Sequence, residues 1–278
     1  MRSNTGGPAS VDALDVDIPA PGGGRLRAER TGSGSPVVLL HGAGMDARLW
    51  DTVVPELARH HDVIRYDARG LGRSSLPDRP FDDVEDLSAV LDHFGLDRAA
   101  LVGLSMGGET ALDFTLAHPG RVGALALVGA SVSGHDWPAD PQSSAYATAR
   151  RQRDAGALAA LELSIWAALG RTARGGELVE AMVADNAERR IASEPFLAHF
   201  PDRAAESRLG EIAVPVLVVH GDQDHPEIAA IAERLVADLP DAHGVTVPEA
   251  DHYLPLRSPE RLVELLLAHL ARPRRAGE

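Results

Sequence analysis

Cysteine is absent from the 278-residue chain. That excludes disulfides, a thiol nucleophile and a thiolate metal site together, and it fits a reducing compartment. Aromatic residues make up only 4%, so a core has to be assembled from Ala, Leu and Val. No apolar run reaches the ~18 residues of a membrane-crossing helix. The opening "MRSNTGGPAS" is polar and Gly-rich and has no signal-peptide stretch. It reads as the loose terminus of a cytoplasmic protein, and "ARPRRAGE" as a similar frayed end. Positive charge is in deficit: 41 Asp and Glu against 27 Lys and Arg give a net −14. This argues against nucleic acid or an anionic membrane as partner, and it serves solubility.

What is present is the composition of a globular protein, 44% hydrophobic and 24% charged, without a repeat. The length suits one sizeable domain with an inserted layer. "VDALDVDI" and "RLRAER" around "PAPGGG" read as two strands and a Pro/Gly turn. "PVVLLH" (36–41), "DVIRYD" (62–67), "AALVGL" (99–104) and "ALALVG" (124–129) are short apolar runs. Such runs are expected of strands buried on both faces of a parallel sheet. "DARLWDTVVPELARH", "DDVEDLSAVLDHFG" and "GGETALDFTLAHP" lie between them with helical period. The alternation predicts an α/β fold with right-handed crossovers.

After Ala130 the rhythm breaks. Residues 131–210 hold helical stretches and no convincing strand, and then "VPVLVVHGDQD" and "GVTVPEADH" resume the sheet. A last helix, "SPERLVELLLAHL", follows. The expected organisation is a core of residues 1–130 and 211–278, with residues 131–210 as a helical cap (a lid) over one sheet edge. The plainer alternative is a continuation of the core's own helical layer.

Ser105 sits in G-L-S-M-G, one residue past a strand and just before a helix. A serine at such a bend stands clear of the sheet, and the flanking glycines avoid clashes. The plain alternative is a tight turn. A serine nucleophile needs a base, and the base an orienting carboxylate. Of twelve histidines, His252 lies between the last strand and the last helix, on the same sheet edge as Ser105. His60 and His61 sit at a helix end, and His118, His199, His243 and His269 are in or beside helical runs without a carboxylate context. "HGDQDHP" offers Asp222 and Asp224, each equally readable as a turn carboxylate or helix cap. The order Ser…Asp…His is that of nucleophile-elbow hydrolases. "HGAG", residues 41–44, ends a strand with small residues. The Ala43 N–H can pair there with the Met106 N–H as an oxyanion hole.

These residues resemble the α/β-hydrolase fold superfamily, in its capped esterase and lactonase branch, over about Val37 to Leu270. "HGAGMDARLW" is similar to the family's oxyanion turn. "DARGLGRSS" is similar to its structural Asp-x-Arg-Gly-x-Gly-x-Ser loop. "GLSMGG" resembles the elbow of 3-oxoadipate enol-lactonase-like members. "HGDQD" resembles Gly-x-x-Asp, which implies Asp224 over Asp222, and "DHYLPLRSPE" implies His252 as base. The resemblance implies a mostly parallel sheet of about eight strands flanked by helices, with a cap after strand 6. It also implies a catalytic triad of Ser105, His252 and Asp224, with no metal and no organic cofactor. The implied activity is cleavage of a small-molecule ester or lactone. Alternatives are carbon–carbon bond hydrolysis of a diketone-type substrate, perhydrolysis, a biosynthetic acyl catalyst, and a ligand receptor. Serine at position 105 argues against haloalkane dehalogenase and epoxide hydrolase, which carry aspartate there. Trp137, Trp166, Met182, Phe196 and Phe200 are the bulky cap residues open to pocket-lining or plain packing. Arg150, Arg151 and Arg153 are the cap cations that could polarise a dienol.

Overall fold

The computed structural model describes residues 13–138, 141–197 and 203–272, the side chains of 141–143 and 194–197 excepted. Phe200 and the side chain of Phe196 fall outside the described residues. Eight strands form one sheet: β1 (Leu14–Pro19), β2 (Arg25–Gly32), β3 (Ser35–Leu40), β4 (His61–Tyr66), β5 (Ala99–Leu104), β6 (Val122–Val128), β7 (Val216–Gly221) and β8 (Ala242–Val247). Their spatial order is β1-β2-β4-β3-β5-β6-β7-β8. β2 runs antiparallel to β1 and β4, and all pairings from β4 to β8 are parallel.

Period-two alternation divides the apolar runs between two cores. Val38, Leu101, Leu125, Leu127, Val216 and Val218 face one. Val37, Val102, Ala126, Val128, Leu217 and Val219 face the other. Nearly continuous apolar sequence is what a strand covered on both faces requires.

The helices are α1 (Val54–Leu57), α2 (Asp83–His93), α3 (Met106–Ala117), α4 (Pro141–Gln152), α5 (Ala155–Trp166), α6 (Gly176–Leu197), α7 (Pro226–Asp238), α8 (Leu254–Arg257) and α9 (Pro259–Leu270). The stretch 46–60, expected as one helix, is instead a 3-10 turn (Ala47–Trp50) and the four-residue α1. Pro55 has no N–H to give to a preceding turn, so a helix can start there but not run through it. His61 is the first residue of β4, not the end of a helix. The long run after Ser144 divides at Arg153, whose φ is +54°. Asp154 then caps α5, accepting the Ala157 N–H at 2.9 Å.

Between β6 and β7 there is no strand among the described residues, only α4–α6 and a 3-10 turn, Ala205–Glu211. Ala205 and Leu209 of that turn lie in the same core cluster as Leu125 and Val216, so the core layer resumes at Ala205. On α6 the inward stripe Val179, Met182, Val183, Asn186 has helical spacing. Met182 is fully buried in the cluster with Tyr253 and Leu254, which makes it packing. Asn186 joins α6 to the sheet-edge loops. Its amide donates to Asp46 at 2.8 Å and its oxygen accepts the Gly72 N–H at 2.8 Å.

Candidate active site

β5 delivers the chain to Ser105 with φ 54° and ψ −120°, a conformation costly for any residue with a Cβ. Two glycines make the bend possible by close approach. A Cβ at Gly103 would overlap the Gly107 carbonyl, and one at Gly107 would overlap the carbonyl oxygen of Leu40. Strand and helix therefore meet backbone to backbone, and Ser105 is lifted to the rim of a cavity.

That cavity, about 400 Å³, is lined by Ala43, Ser105 and His252 from the core loops and by Trp137, Tyr146, Arg150, Glu162, Trp166 and Arg190 from the β6–β7 insertion. Its remaining wall includes His225 and Met45. No hydrogen bond joins the Ser105 hydroxyl to His252 among the described residues, although both face this one space. The contact of serine and base commonly closes only around bound substrate.

His252 Nδ1 lies 3.0 Å from Asp224 Oδ1 and 3.1 Å from Oδ2. Both side chains are 2% exposed. A carboxylate only accepts, so Nδ1 carries the proton and Nε2 is left with the lone pair. Asp222 is elsewhere, its carboxylate 3.4 Å from the Ala250 N–H. The Asp224 loop is further fixed by the His225 N–H, which donates to Asp224 Oδ1 at 2.7 Å.

Met106 is the first residue of α3, so its N–H has no acceptor within the helix. The Ala43 N–H likewise has no acceptor among the described residues. Ala43 and Met106 together border a side hollow of about 60 Å³, and Ala43 and Arg190 line both this hollow and the main cavity. The turn carrying Ala43 is braced by His41, whose Nε2 accepts the Ala68 N–H at 2.9 Å. Its Nδ1 therefore donates to the Gly42 carbonyl, also at 2.9 Å.

Trp166 was open to lining a pocket from the sequence, whereas Glu162, Ile165 and His225 of this cavity were not singled out there. Leu158, Glu162, Ile165 and Trp166 fall on one face of α5 at helical spacing. Trp166 stacks against His252 with ring centroids 4.5 Å apart. Glu162 pairs with Arg190 of α6, and Arg190 also donates to the Tyr146 hydroxyl at 2.7 Å. Burial pushes the Glu162 carboxyl up to about 8 and the Arg190 guanidinium down to about 10. Their mutual contact opposes both shifts. A signal for Glu162 existed: it is the one charge in the apolar run "LAALELSIW". His225 had none beyond standing next to Asp224. Of the three arginines singled out in the sequence, Arg150 reaches the cavity wall, while Arg151 donates to Thr148 at 3.1 Å.

Among the described residues, no helix is long and apolar enough to cross a membrane. The family described as alpha/beta hydrolase fold matches residues 35–259. The chain is 33% identical to polyketide synthase ThaQ of Burkholderia thailandensis over 98% of its own length, but spans only 13% of that synthase. It is 30% identical to a 2-hydroxy-6-oxononadienedioate/2-hydroxy-6-oxononatrienedioate hydrolase of Cupriavidus pinatubonensis, covering 78% of this chain and 81% of that one. A thermophilic esterase from Thermogutta terrifontis superimposes with a TM-score of 0.77 at 27% identity, over 92% of this chain and 98% of that one. With the strand order, the strained serine after β5 and the Asp–His pair after β7 and β8, these matches make the chain a member of the α/β-hydrolase fold family.

Proposed function

We propose that the chain is a serine hydrolase that opens an ester or lactone bond of a small molecule through an acyl-enzyme. The observation that carries this reading is the buried Asp224–His252 pair on the cavity that Ser105 enters. His252 Nε2 takes the Ser105 proton as Oγ attacks the carbonyl carbon, and Asp224 steadies the imidazolium that forms. The carbonyl oxygen gains its charge between the N–H groups of Ala43 and Met106, each worth roughly 3 kcal/mol in the transition state. His252 then protonates the leaving alkoxide. In the second half it takes a proton from water, which attacks the acyl carbon and releases the acid and Ser105. Trp166, stacked on His252, keeps bulk water off the Asp–His pair, where the lower dielectric strengthens it. In this reading α4–α6 form a lid and the chemistry stays on the core loops.

A carbon–carbon hydrolase is the second reading, favoured by the dienedioate hydrolase relative. The cavity weighs against a dicarboxylate. Arg190 is occupied by Glu162 and Tyr146, and Arg150 is also engaged. A substrate carboxylate would have to displace one of these partners.

The test is turnover of p-nitrophenyl esters from acetate to decanoate by wild type and Ser105→Ala, together with fluorophosphonate labelling. Turnover lost in the variant, with label on Ser105, supports the esterase. Label on Ser105 without ester turnover would move the assignment to the carbon–carbon substrate class. No label at all on folded protein would remove the nucleophile.

A further inference from the structure

We propose that His135 is a positioning residue, clamped as an imidazolium between Glu206 and Glu227, and that the clamp sets Trp137 and thereby the affinity of the cavity for substrate. This deepens the reading above and rests on it at one point, the use of the main cavity by substrate.

His135 lies in the segment that joins β6 to α4. Its Nδ1 is 2.9 Å from Glu206 Oε1 and its Nε2 is 2.7 Å from Glu227 Oε1. A neutral imidazole has one N–H and can serve one carboxylate; two acceptor-only partners call for a proton on each nitrogen. The ring is 6% exposed. Burial lowers its pKa, and the two carboxylates more than reverse that, so the net shift is upward. The groups facing it are Glu206 from the 3-10 turn and Glu227 from the start of α7. Arg234 of α7 opposes it at one remove, 2.7 Å from the same Glu206 oxygen.

The segment before His135 is also tied down. Ser133 donates to Asp113 at 2.7 Å, and its backbone carbonyl accepts the Glu206 N–H at 3.0 Å. Among the described residues these hydrogen bonds end at His135. Beyond it Trp137 is held by ring contacts: His135 at 5.5 Å and Trp166 at 6.5 Å, both edge to face. Trp137 is 42% exposed. The ring series His135, Trp137, Trp166, His252 thus runs from the clamp to the proposed base. Glu227 anchors the clamp three residues from Asp224, on the same loop and helix start. His135 touches none of the groups assigned to the chemistry. Its loss loosens the wall and leaves Ser105, His252 and Asp224 on their core loops.

Substrate binding should therefore weaken while the chemical step is kept. His135→Gln is expected to raise KM for the best p-nitrophenyl ester about five- to tenfold, with kcat within about twofold. His135→Arg, which restores a cation with two donors, should recover much of the loss. In wild type, KM should rise as alkaline pH removes the His135 proton, and that rise should be missing in His135→Gln. The protonation is read directly by NMR of the imidazole Cε1 resonance, assigned by its loss in His135→Gln. It should titrate above the ordinary value near 6.5, and lower in Glu227→Gln. His135 titrating at or below that value would overturn the clamp, and so would an unchanged KM in His135→Gln. The titration needs no turnover, so it judges the clamp even where every ester is refused. Ester turnover with an ordinary titration sinks the clamp alone.

Discussion

Asp251 stands directly before His252, and its carboxylate is saturated. Oδ1 accepts the Tyr253 N–H at 3.1 Å and Arg257 Nε at 3.0 Å. Oδ2 accepts the Leu169 N–H at 3.0 Å and Arg257 Nη2 at 3.0 Å. Arg257 also donates to the carbonyls of Arg174, at 2.8 Å, and Gly170, at 3.2 Å. The two side chains are 0% and 1% exposed. This pair fastens the loop of the proposed base to the connection between α5 and α6, and so holds core and insertion together under Trp166.

Replacing Asp251 by Ala strands a buried guanidinium and unpairs two N–H groups. Breaking a buried pair from one side costs about 3–5 kcal/mol, against a total stability of about 5–15 kcal/mol. At ~2–4 °C per kcal/mol for a chain near this size, Tm should fall by roughly 6–20 °C. Asp251→Leu/Arg257→Met removes both charges and should be less damaging than either single change, recovering about 2 kcal/mol. Urea unfolding of wild type, Asp251→Leu, Arg257→Met and the double variant, followed by circular dichroism, gives the four corners of the cycle, with equal m-values required for comparison. An Asp251→Ala cost below about 1 kcal/mol, the range of an exposed pair, would refute the reasoning. Simple additivity of the two single changes would refute it equally.

Asp224→Asn should lower kcat by roughly 10⁴-fold with little change in Tm, because the amide leaves His252 in the wrong tautomer; steady-state kinetics beside a melting curve checks both halves. Gly107→Ala should destabilise by about 1–3 kcal/mol, since its methyl overlaps the Leu40 carbonyl and pushes α3 off β3; equilibrium urea unfolding measures it. His269 is buried with Nε2 lacking a partner among the described residues, and burial lowers its pKa from 6.5. Between the lowered value and 6.5 the unfolded chain holds a proton that the native state refuses. Its contribution is therefore complete above 6.5 and lost as pH falls through that window. His269→Leu should flatten the acid limb of a stability–pH curve by up to about 1.4 kcal/mol per pH unit. His61, lowered by burial in the same way, keeps part of the slope in that variant.

The inner strands β3 to β7 were legible to within a few residues because a strand covered on both faces must be largely apolar. Ser105 was legible because strand, bend and helix are contiguous, and the glycines that permit the bend sit within three residues of it. Asp224 over Asp222 needed the family resemblance. From the residues alone both are loop carboxylates, and only the path of the loop turns one toward His252. The division of 46–60 was misread as one helix because apolar spacing outweighed Pro55 in the reading, while the folded chain obeys the missing N–H.

The wall of the cavity was harder to read, and the reason is physical. Glu162 has meaning only beside Arg190, and the two lie on different helices. Their buried pair depends on how α5 and α6 face each other, which no local spacing encodes. The chain contains no lysine, so every such cation is a guanidinium able to grip a carboxylate with two N–H groups at once. Arg257 does this on Asp251, and Arg30 does it on Asp62 at 2.8 and 2.7 Å. A lone acid inside an apolar helical run of a chain like this one therefore signals a buried arginine partner. Local motifs mark the proposed triad, whereas the charged pairs of the cavity wall are assembled only in the folded chain. Relatives with one elbow and different substrates are the expected result.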